Sequence, residues 1–134
     1  MAFDDTFRLS AHAVICNTDN EVLLLKASYG KLSWGLPGGA LEPGETIHQA
    51  VARECGEELG CEVEIGPLTG VYYHSAVGSQ AFIFRAYLAD SSRIVLSDEH
   101  SAWRYVPLDE LSAVQRRRVE ECLAYSGLVR SAAF

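Results

Sequence analysis

The sequence predicts an α/β or α+β fold in which a mixed β-sheet is sandwiched between α-helices. Three observations lead to this class: two β-like segments near the start, a helix with recognisable caps in the middle, and further strands before a second helix. The chain has 134 residues, of which 49% are hydrophobic. This length and composition predict one domain, residues 1–134, with a hydrophobic core of its own.

Two strands are predicted first. Residues Phe7–Cys16 and Glu21–Lys26 are rich in apolar and β-branched side chains, and the polar segment Asn17–Asn20 between them is typical of a turn. We therefore expect these two strands to form a hairpin. Residues Gly35–Gly44 follow with six glycines and prolines, a density that indicates an ordered loop.

A helix with defined ends is predicted after this loop. Thr46 is suited to be its N-cap, Gln49 is the matching capping-box partner, and Gly60 is suited to end it, so the helix covers about Thr46–Leu59. The remaining predicted elements are strands at Val63–Ile65, Gly70–His74, Gln80–Leu88 and Trp103–Val106 and a second helix at Leu108–Tyr125.

Charge and hydropathy exclude several classes of protein. The chain has 11 Lys and Arg against 18 Asp and Glu, a net charge of −7, and so lacks the basic surplus of duplex-binding proteins. Its apolar stretches are too short to span a membrane, and Met1–Ser10 has no apolar core of signal length. We expect a cytoplasmic protein with reduced thiols, because neither a C-x-x-C pair nor zinc spacing occurs among Cys16, Cys55, Cys61 and Cys122.

The first predicted helix carries an unusual set of carboxylates. Glu54, Glu57 and Glu58 are spaced i, i+3 and i+4, and they lie within or beside its apolar stripe. Like charges at this spacing repel, and carboxylates beside a buried stripe lose hydration, so a compensating group is expected. A divalent cation such as Mg²⁺ would compensate them, and Arg53 can orient one of the carboxylates. The alternative is a surface helix with ordinary salt bridges.

The segment Gly39–Cys61 resembles the Nudix box, the signature of the Nudix hydrolases. Cys55 and Cys61 stand at the two aliphatic positions of the box. All seven fixed positions of the box are matched, by Gly39, Glu45, Arg53, Glu54, Glu57, Glu58 and Gly60. The lead-in loop Trp34–Gly39 is also similar to the family, and the resemblance covers most of the chain. It implies the Nudix fold, with the box as a loop–helix–loop, as in the small MutT-like members.

The resemblance implies an enzyme that hydrolyses the diphosphate linkage of a nucleoside diphosphate joined to a group X. Its implied cofactor is Mg²⁺ or Mn²⁺. The implied metal ligands are the backbone carbonyl of Gly39 and the carboxylates of Glu54, Glu57 and Glu58. Glu45 and Arg53 would form a structural pair that joins loop to helix, and Arg53 would orient a metal-binding glutamate.

Two features of the implied site stay open. The group that accepts the proton of the attacking water is Glu54 or Glu57 in the box, or Glu99 on a downstream loop, for which a solvated loop acid is the alternative. Lys26 could contact a phosphate, although a solvated strand end is the favoured alternative. The candidate substrate-binding residues are Lys26, Gly38 and Gly39.

For several other side chains, an ordinary structural role is the favoured interpretation. Core packing is favoured over base stacking for Trp34, Tyr72, Tyr73, Phe82 and Phe84. A position near the substrate is the weaker interpretation of His74. Likewise, a solvated helix face is favoured over a phosphate clamp for Arg116–Arg118.

The short chain is similar to the nucleotide-type members of the family. We therefore expect a small-molecule substrate, a nucleoside triphosphate or related nucleotide, split to a monophosphate and pyrophosphate. The alternatives are a catalytically idle nucleotide-binding sensor and an acidic interaction module without a ligand. We expect neither duplex nucleic acid nor a membrane as partner, and either a monomer or a homodimer.

Overall fold

The computed structural model describes residues 2–134, so Met1 of the predicted domain lies outside the described residues. Within this range the strands are β1 Arg8–Val14, β2 Val22–Ala27, β3 Trp34–Gly35, β4 Gly38–Ala40, β5 Glu64–His74, β6 Ser79–Tyr87, β7 His100–Val106 and β8 Arg130–Ala133. The helices are α1 Ile47–Leu59 and α2 Ala113–Leu123, with short 3₁₀ turns at Ala2–Asp4, Ser91–Arg93 and Leu108–Glu110. No helix in residues 2–134 is long and apolar enough to cross a membrane.

The strands divide between two sheets. The larger sheet has the order β4-β1-β6-β5-β8 and is mixed, because β1 runs parallel to β6 and β5 runs parallel to β8. The smaller sheet has the order β3-β2-β7 and is antiparallel. The mixed α and β class is therefore confirmed, with the strands in two sheets rather than one.

The two helices cover opposite faces of the larger sheet. Neighbouring residues of a strand point to opposite faces. Ala13 and Phe84 pack in the same core cluster as Val51 of α1. Val14 and Ile83, each adjacent to one of them in sequence, pack in a second cluster with residues of α2. Each central strand is therefore buried on both sides.

The predicted hairpin is correct only at its turn. The N–H of Leu23 donates to the carbonyl of Ile15 at 2.8 Å, and Cys16 bridges to Val22. Beyond this point β1 pairs with β4 and β6, whereas β2 pairs with β3 and β7. The strands diverge because each lies inside a different sheet, where it has its own neighbours on both sides.

Other predicted boundaries also need correction. The strands predicted at 63–65 and 70–74 form one strand, β5, whose register shifts around Pro67, a residue that has no N–H to donate. The second helix begins at Ala113 rather than Leu108, because Ser112 caps it through a bond from the N–H of Gln115. The predicted glycine-rich loop contains the short strands β3 and β4, and β8 was not predicted at all.

The predicted caps of α1 are confirmed. The hydroxyl of Thr46 accepts a hydrogen bond from the N–H of Gln49 at 3.1 Å. The Gln49 side chain accepts one from the N–H of Thr46 at 2.9 Å. At the other end, Gly60 adopts a φ of 62°, the left-handed conformation that favours glycine. Both ends of the acidic helix are therefore fixed by local sequence.

We predict that Thr46→Ala lowers the free energy of unfolding by about 1 kcal/mol, because the N–H of Gln49 loses its acceptor. Thr46→Ser keeps the hydroxyl and will retain most of this stability. Urea unfolding followed by circular dichroism measures both variants. Equal stability of Thr46→Ala and the wild type would contradict the assignment of this cap.

Candidate active site

Strand β4 carries the glycine-rich segment, and it packs against helix α1, which carries the glutamates. In the pairing of β4 with β1, Gly38 lies opposite His12 and Gly39 opposite Ala11, and α1 packs against both strands. A Cβ atom at Gly39 would lie 2.7–2.8 Å from the carboxyl atoms of Glu54. Glycine at this position therefore lets the carboxylate of Glu54 lie directly on the strand backbone.

Glu58 is buried, with 4% of its surface exposed, which is uncommon for a carboxylate. The N–H of Gly38 donates to its Oε1 at 2.7 Å, and Nε2 of His100 lies 3.3 Å from its Oε2. Burial raises the pKa of Glu58 to about 8, although the bond from Gly38 opposes this shift. Protein groups thus hold both oxygens, but in residues 2–134 no Lys or Arg nitrogen lies within 4.0 Å of them.

Glu54 is half-buried on the same helix face. Burial raises its pKa, and the hydrogen bond from Arg53 at 3.0 Å opposes that effect. The negative charges of Glu57 and Glu99 raise it further. The two carboxylates nearest the strand, Glu54 and Glu58, therefore both favour a nearby positive charge.

Arg53 joins the loop to the helix. Its Nε and Nη2 donate to the two oxygens of Glu45 at 2.7 and 2.9 Å, a bidentate pair that also raises the pKa of Arg53. Nη2 donates further to the carbonyl of Ala40 at 3.2 Å. Nη1 donates to Glu54 at 3.0 Å and to Glu57 at 3.4 Å. One guanidinium thus fixes the position of two predicted metal ligands.

A cavity of about 300 Å³ opens in front of these carboxylates. It is bounded by β2, the β3–β4 segment, α1 and the turn before β7. Its polar and glycine lining includes Gly38, Gly39, Glu54, Glu58, Glu99 and His100. The structure therefore brings the downstream candidate Glu99 into the same cavity as two glutamates of the helix.

Two of the predicted metal-binding or substrate-binding residues lie outside that lining. Glu57 is exposed, with 60% of its side-chain surface accessible, and contacts Arg53 instead. Lys26 lies on β2 between two residues that do line the cavity, Leu25 and Ala27, but is not part of the lining itself. Since neighbouring residues of a strand point to opposite faces, this arrangement does not favour a role of Lys26 in the cavity.

The donor set suits a hard divalent cation. In the part of the chain that the structure describes, no three His, Cys, Asp or Glu side chains are already close enough to enclose a metal ion. The carboxylates of Glu54, Glu58 and Glu99 nevertheless line one cavity. Burial, and after it the neighbouring carboxylates, raises the pKa values of Glu54 and Glu58, and a bound cation would oppose both effects. Oxygen ligands of this kind are those that Mg²⁺ and Mn²⁺ prefer.

The aromatic candidates mostly belong to the core. Tyr72 and Phe84 are fully buried, so they cannot stack on a base. Trp34 is half-buried, and the guanidinium of Arg104 lies 5.0 Å from its ring centroid. His74 contacts Arg118 on the α2 side of the larger sheet rather than the glutamates of α1.

His100 is the site residue that sequence reasoning missed. The sequence places it beside Glu99, but its contact with Glu58 depends on the pairing of β7 with β2, in which His100 lies opposite Ala27. That pairing joins residues far apart in the chain. The adjacent Glu99 was the only signal available in the sequence.

Comparison with known proteins identifies the family of this fold and site. The model of the NUDIX domain matches residues 6–124. A MutT-like protein of Streptomyces ambofaciens is 36% identical over 104 residues, which cover 78% of this chain and 66% of that protein. An RNA pyrophosphohydrolase of Yersinia enterocolitica is 47% identical over 60 residues, 45% of this chain and 34% of that protein.

Solved structures agree with this result. A C. elegans Ap4A hydrolase is 26% identical, with a TM-score of 0.72, over 87% of this chain and 96% of the other. The chain belongs to the NUDIX domain family. It spans about two thirds of the length of the MutT-like protein and about one third of the length of the RNA pyrophosphohydrolase.

We predict that the Glu45–Arg53 pair makes stability depend on pH below neutrality. The hydrogen bond from Arg53 lowers the pKa of Glu45 from 4.5 to about 2. A lowered carboxyl pKa stabilises the folded protein above pH 4.5, and this stability is lost as pH falls from 4.5 towards 2. Glu45→Gln will therefore be less stable than the wild type at pH 7, with a smaller loss in that acidic window.

Urea unfolding at several pH values between 7 and 2, in the presence of EDTA, measures the difference in stability between Glu45→Gln and the wild type. Glu42→Gln is a matched control, because the exposed Glu42 lies farther from Arg53, at 3.8 Å. Parallel stability curves for Glu45→Gln and the wild type between pH 4.5 and 2 would show that the pair does not contribute.

Proposed function

We propose that this protein is a metal-dependent hydrolase of a diphosphate linkage in a nucleoside diphosphate derivative. The observation that carries the proposal is the convergence of Glu54, Glu58 and Glu99 on one cavity beside Gly38 and Gly39. Burying carboxylates together costs free energy unless a cation balances them. A site that keeps this arrangement is suited to a cation and to the anionic substrate that the cation attracts.

The proposed ligands of the cation are Glu54, Glu57, Glu58 and the backbone carbonyl of Gly39. Nudix hydrolases generally use divalent metal ions, and we propose Mg²⁺ or Mn²⁺ here. When bound, the cation neutralises phosphate oxygens and lowers the pKa of a water that attacks in line. Gly38 and His100 hold Glu58 in place, and Arg53 holds Glu54 and Glu57.

Hydrolysis also needs a group that accepts a proton from the attacking water. The water oxygen forms a new bond to phosphorus, and the bridging P–O bond breaks with its electron pair leaving on the departing phosphate. Glu99 is exposed and lines the cavity, so its carboxylate is free to take this proton. Glu54 is the alternative within the helix, and Glu57 is less well placed because it faces solvent beside Arg53.

The substrate that we propose is a nucleoside triphosphate or related small nucleotide, cleaved to a monophosphate and pyrophosphate. The names of the similar proteins, an RNA pyrophosphohydrolase and an Ap4A hydrolase, both refer to substrates with linked phosphates. We also propose a cytoplasmic location, since Cys16, Cys55, Cys61 and Cys122 are all free. The idle-sensor alternative is disfavoured because every glutamate of the box is present.

We predict metal-dependent release of phosphate products from a panel of nucleoside triphosphates, dinucleoside polyphosphates, nucleotide sugars and ADP-ribose. EDTA will abolish turnover, and Glu58→Gln will lower kcat/KM by about 100-fold or more, since a carboxylate ligand is lost. Glu62→Gln, on an exposed residue just beyond α1, is the control and will keep wild-type activity. Turnover that survives EDTA would refute the metal-dependent mechanism.

We also predict opposite effects of two glycine substitutions. The Cβ of Gly39→Ala would displace the Glu54 carboxyl, so this variant will lose about 10-fold or more in activity and in Mn²⁺ affinity. A Cβ at Gly56 would meet nothing within 4 Å, so Gly56→Ala will keep activity and gain about 1 kcal/mol of helix stability. Activity assays, Mn²⁺ titration and urea unfolding measure these effects in both variants. Equal activity of Gly39→Ala and Gly56→Ala would contradict the role assigned to Gly39.

A further inference from the structure

The three consecutive arginines of α2 have different surroundings. Arg116 forms an ion pair with Glu120, and Arg117 lies 3.6 Å from Glu121. Both of these arginines are about half exposed, as the sequence predicted for a solvated face. Arg118 instead points towards the larger sheet, and in residues 2–134 no carboxylate oxygen lies within 4.0 Å of its guanidinium.

Only neutral groups bind the guanidinium of Arg118. Its Nε and Nη2 donate to Oε1 of Gln115 at 3.0 and 2.5 Å, and its Nη1 donates to Nε2 of His74 at 3.1 Å. Burial lowers the pKa of Arg118 to about 10, which still leaves it protonated at pH 7. The charge of Arg118, together with burial, lowers the pKa of His74, so His74 is neutral and accepts the hydrogen bond.

This is an unbalanced positive charge in an acidic protein. The chain has 18 Asp and Glu residues, enough to pair every Lys and Arg, yet none pairs with this partly buried guanidinium. Buried charges are normally paired, because removing them from water costs several kcal/mol. The geometry around Arg118 therefore favours an anion that the protein itself does not provide.

A further histidine lies on the same face of the larger sheet. His12 of β1 faces the α2 side of the sheet, because the flanking Ala11 and Ala13 pack on the α1 side. Its Nε2 is within hydrogen-bond distance of the Ser10 hydroxyl, at 3.0 Å, and its Nδ1 is buried. Burial, and after it the positive charge of Arg118, lowers the pKa of His12 to about 4.

His12 also contacts the strand that borders the cavity of the glutamates. A Cβ atom at Gly38 would lie 2.7 Å from Nδ1 of His12, so the imidazole lies directly against Gly38. On the α1 side, the N–H of the same Gly38 donates to Glu58. Strand β4, an edge strand of the larger sheet, therefore has the carboxylate of Glu58 on one side and the imidazole of His12 on the other.

We propose that Arg118 and His74 bind a second anionic group of the substrate, a phosphate. This proposal deepens the proposed function and rests on it for the identity of the ligand. Arg118 supplies the charge and the forked N–H donors that match phosphate oxygens. Phe134, whose ring centroid is 5.5 Å from that of His74, forms an apolar wall on one side of this site.

Calorimetric titration with inorganic pyrophosphate in EDTA tests the site without any need for turnover. Without a divalent cation, the carboxylates of the cavity repel the anion, so binding reports on the basic cluster. Arg118→Gln is expected to weaken binding by about 10-fold or more, and Arg118→Lys, which keeps the charge, by less. Arg116→Gln is the matched control on the same helix and is expected to bind as the wild type does.

Equal affinity of all four proteins would overturn the proposal. Circular dichroism of Arg118→Gln verifies that the variant is folded, and Arg118→Lys provides the test if it is not. In steady-state kinetics on the best substrate, Arg118→Gln is expected to raise KM by about 10-fold with a smaller change in kcat. Weaker pyrophosphate binding with an unchanged KM would show that the site binds a free anion rather than the substrate. If the wild type binds pyrophosphate but hydrolyses no substrate of the panel, only the proposed function is refuted.

Discussion

The close approach of helix α1 to strand β4 is the constraint on which the rest of the site depends. Gly39 makes it possible, because a Cβ there would lie 2.7–2.8 Å from the carboxyl atoms of Glu54. Gly38 lets β4 lie close to β1, because a Cβ there would meet the carbonyl of Ala11 at 2.2 Å. With no side chains between them, the N–H of Gly38 reaches Glu58 at 2.7 Å. The bidentate Arg53–Glu45 pair holds the connecting loop so that this contact persists.

This approach concentrates negative charge where little water can solvate it. Glu58 has a pKa of about 8 because burial favours its neutral form, and the nearby Glu54 and Glu99 add to that effect. A helix selected only for stability would place apolar or paired residues there. The arrangement is a local cost that the folded protein bears, and the caps at Thr46 and Gly60 offset it by fixing both ends of the helix.

Local features of the sequence predicted local structure well. The caps of α1 depend on residues within four positions of each helix end, so Thr46, Gln49 and Gly60 were sufficient to place it. The pairing of β1 with β6 joins residues about 70 positions apart, and no local pattern specifies it. The same limit applies to the site, because the glutamates share one helix but the contact of His100 with Glu58 depends on the packing of β7 beside β2.

The distribution of charge determines where a polyanionic ligand can gain binding energy. The carboxylates of the cavity repel phosphate until a cation is present, so the cavity alone gives little initial affinity to a nucleotide. On the α2 side of the larger sheet, Arg118 is not neutralised by any described carboxylate within 4.0 Å. Binding energy gained there, away from the reacting bond, can hold the ligand while the carboxylates act on its diphosphate. On this proposal a negatively charged protein would recognise a negatively charged substrate, because attraction and chemistry are assigned to opposite faces of the larger sheet.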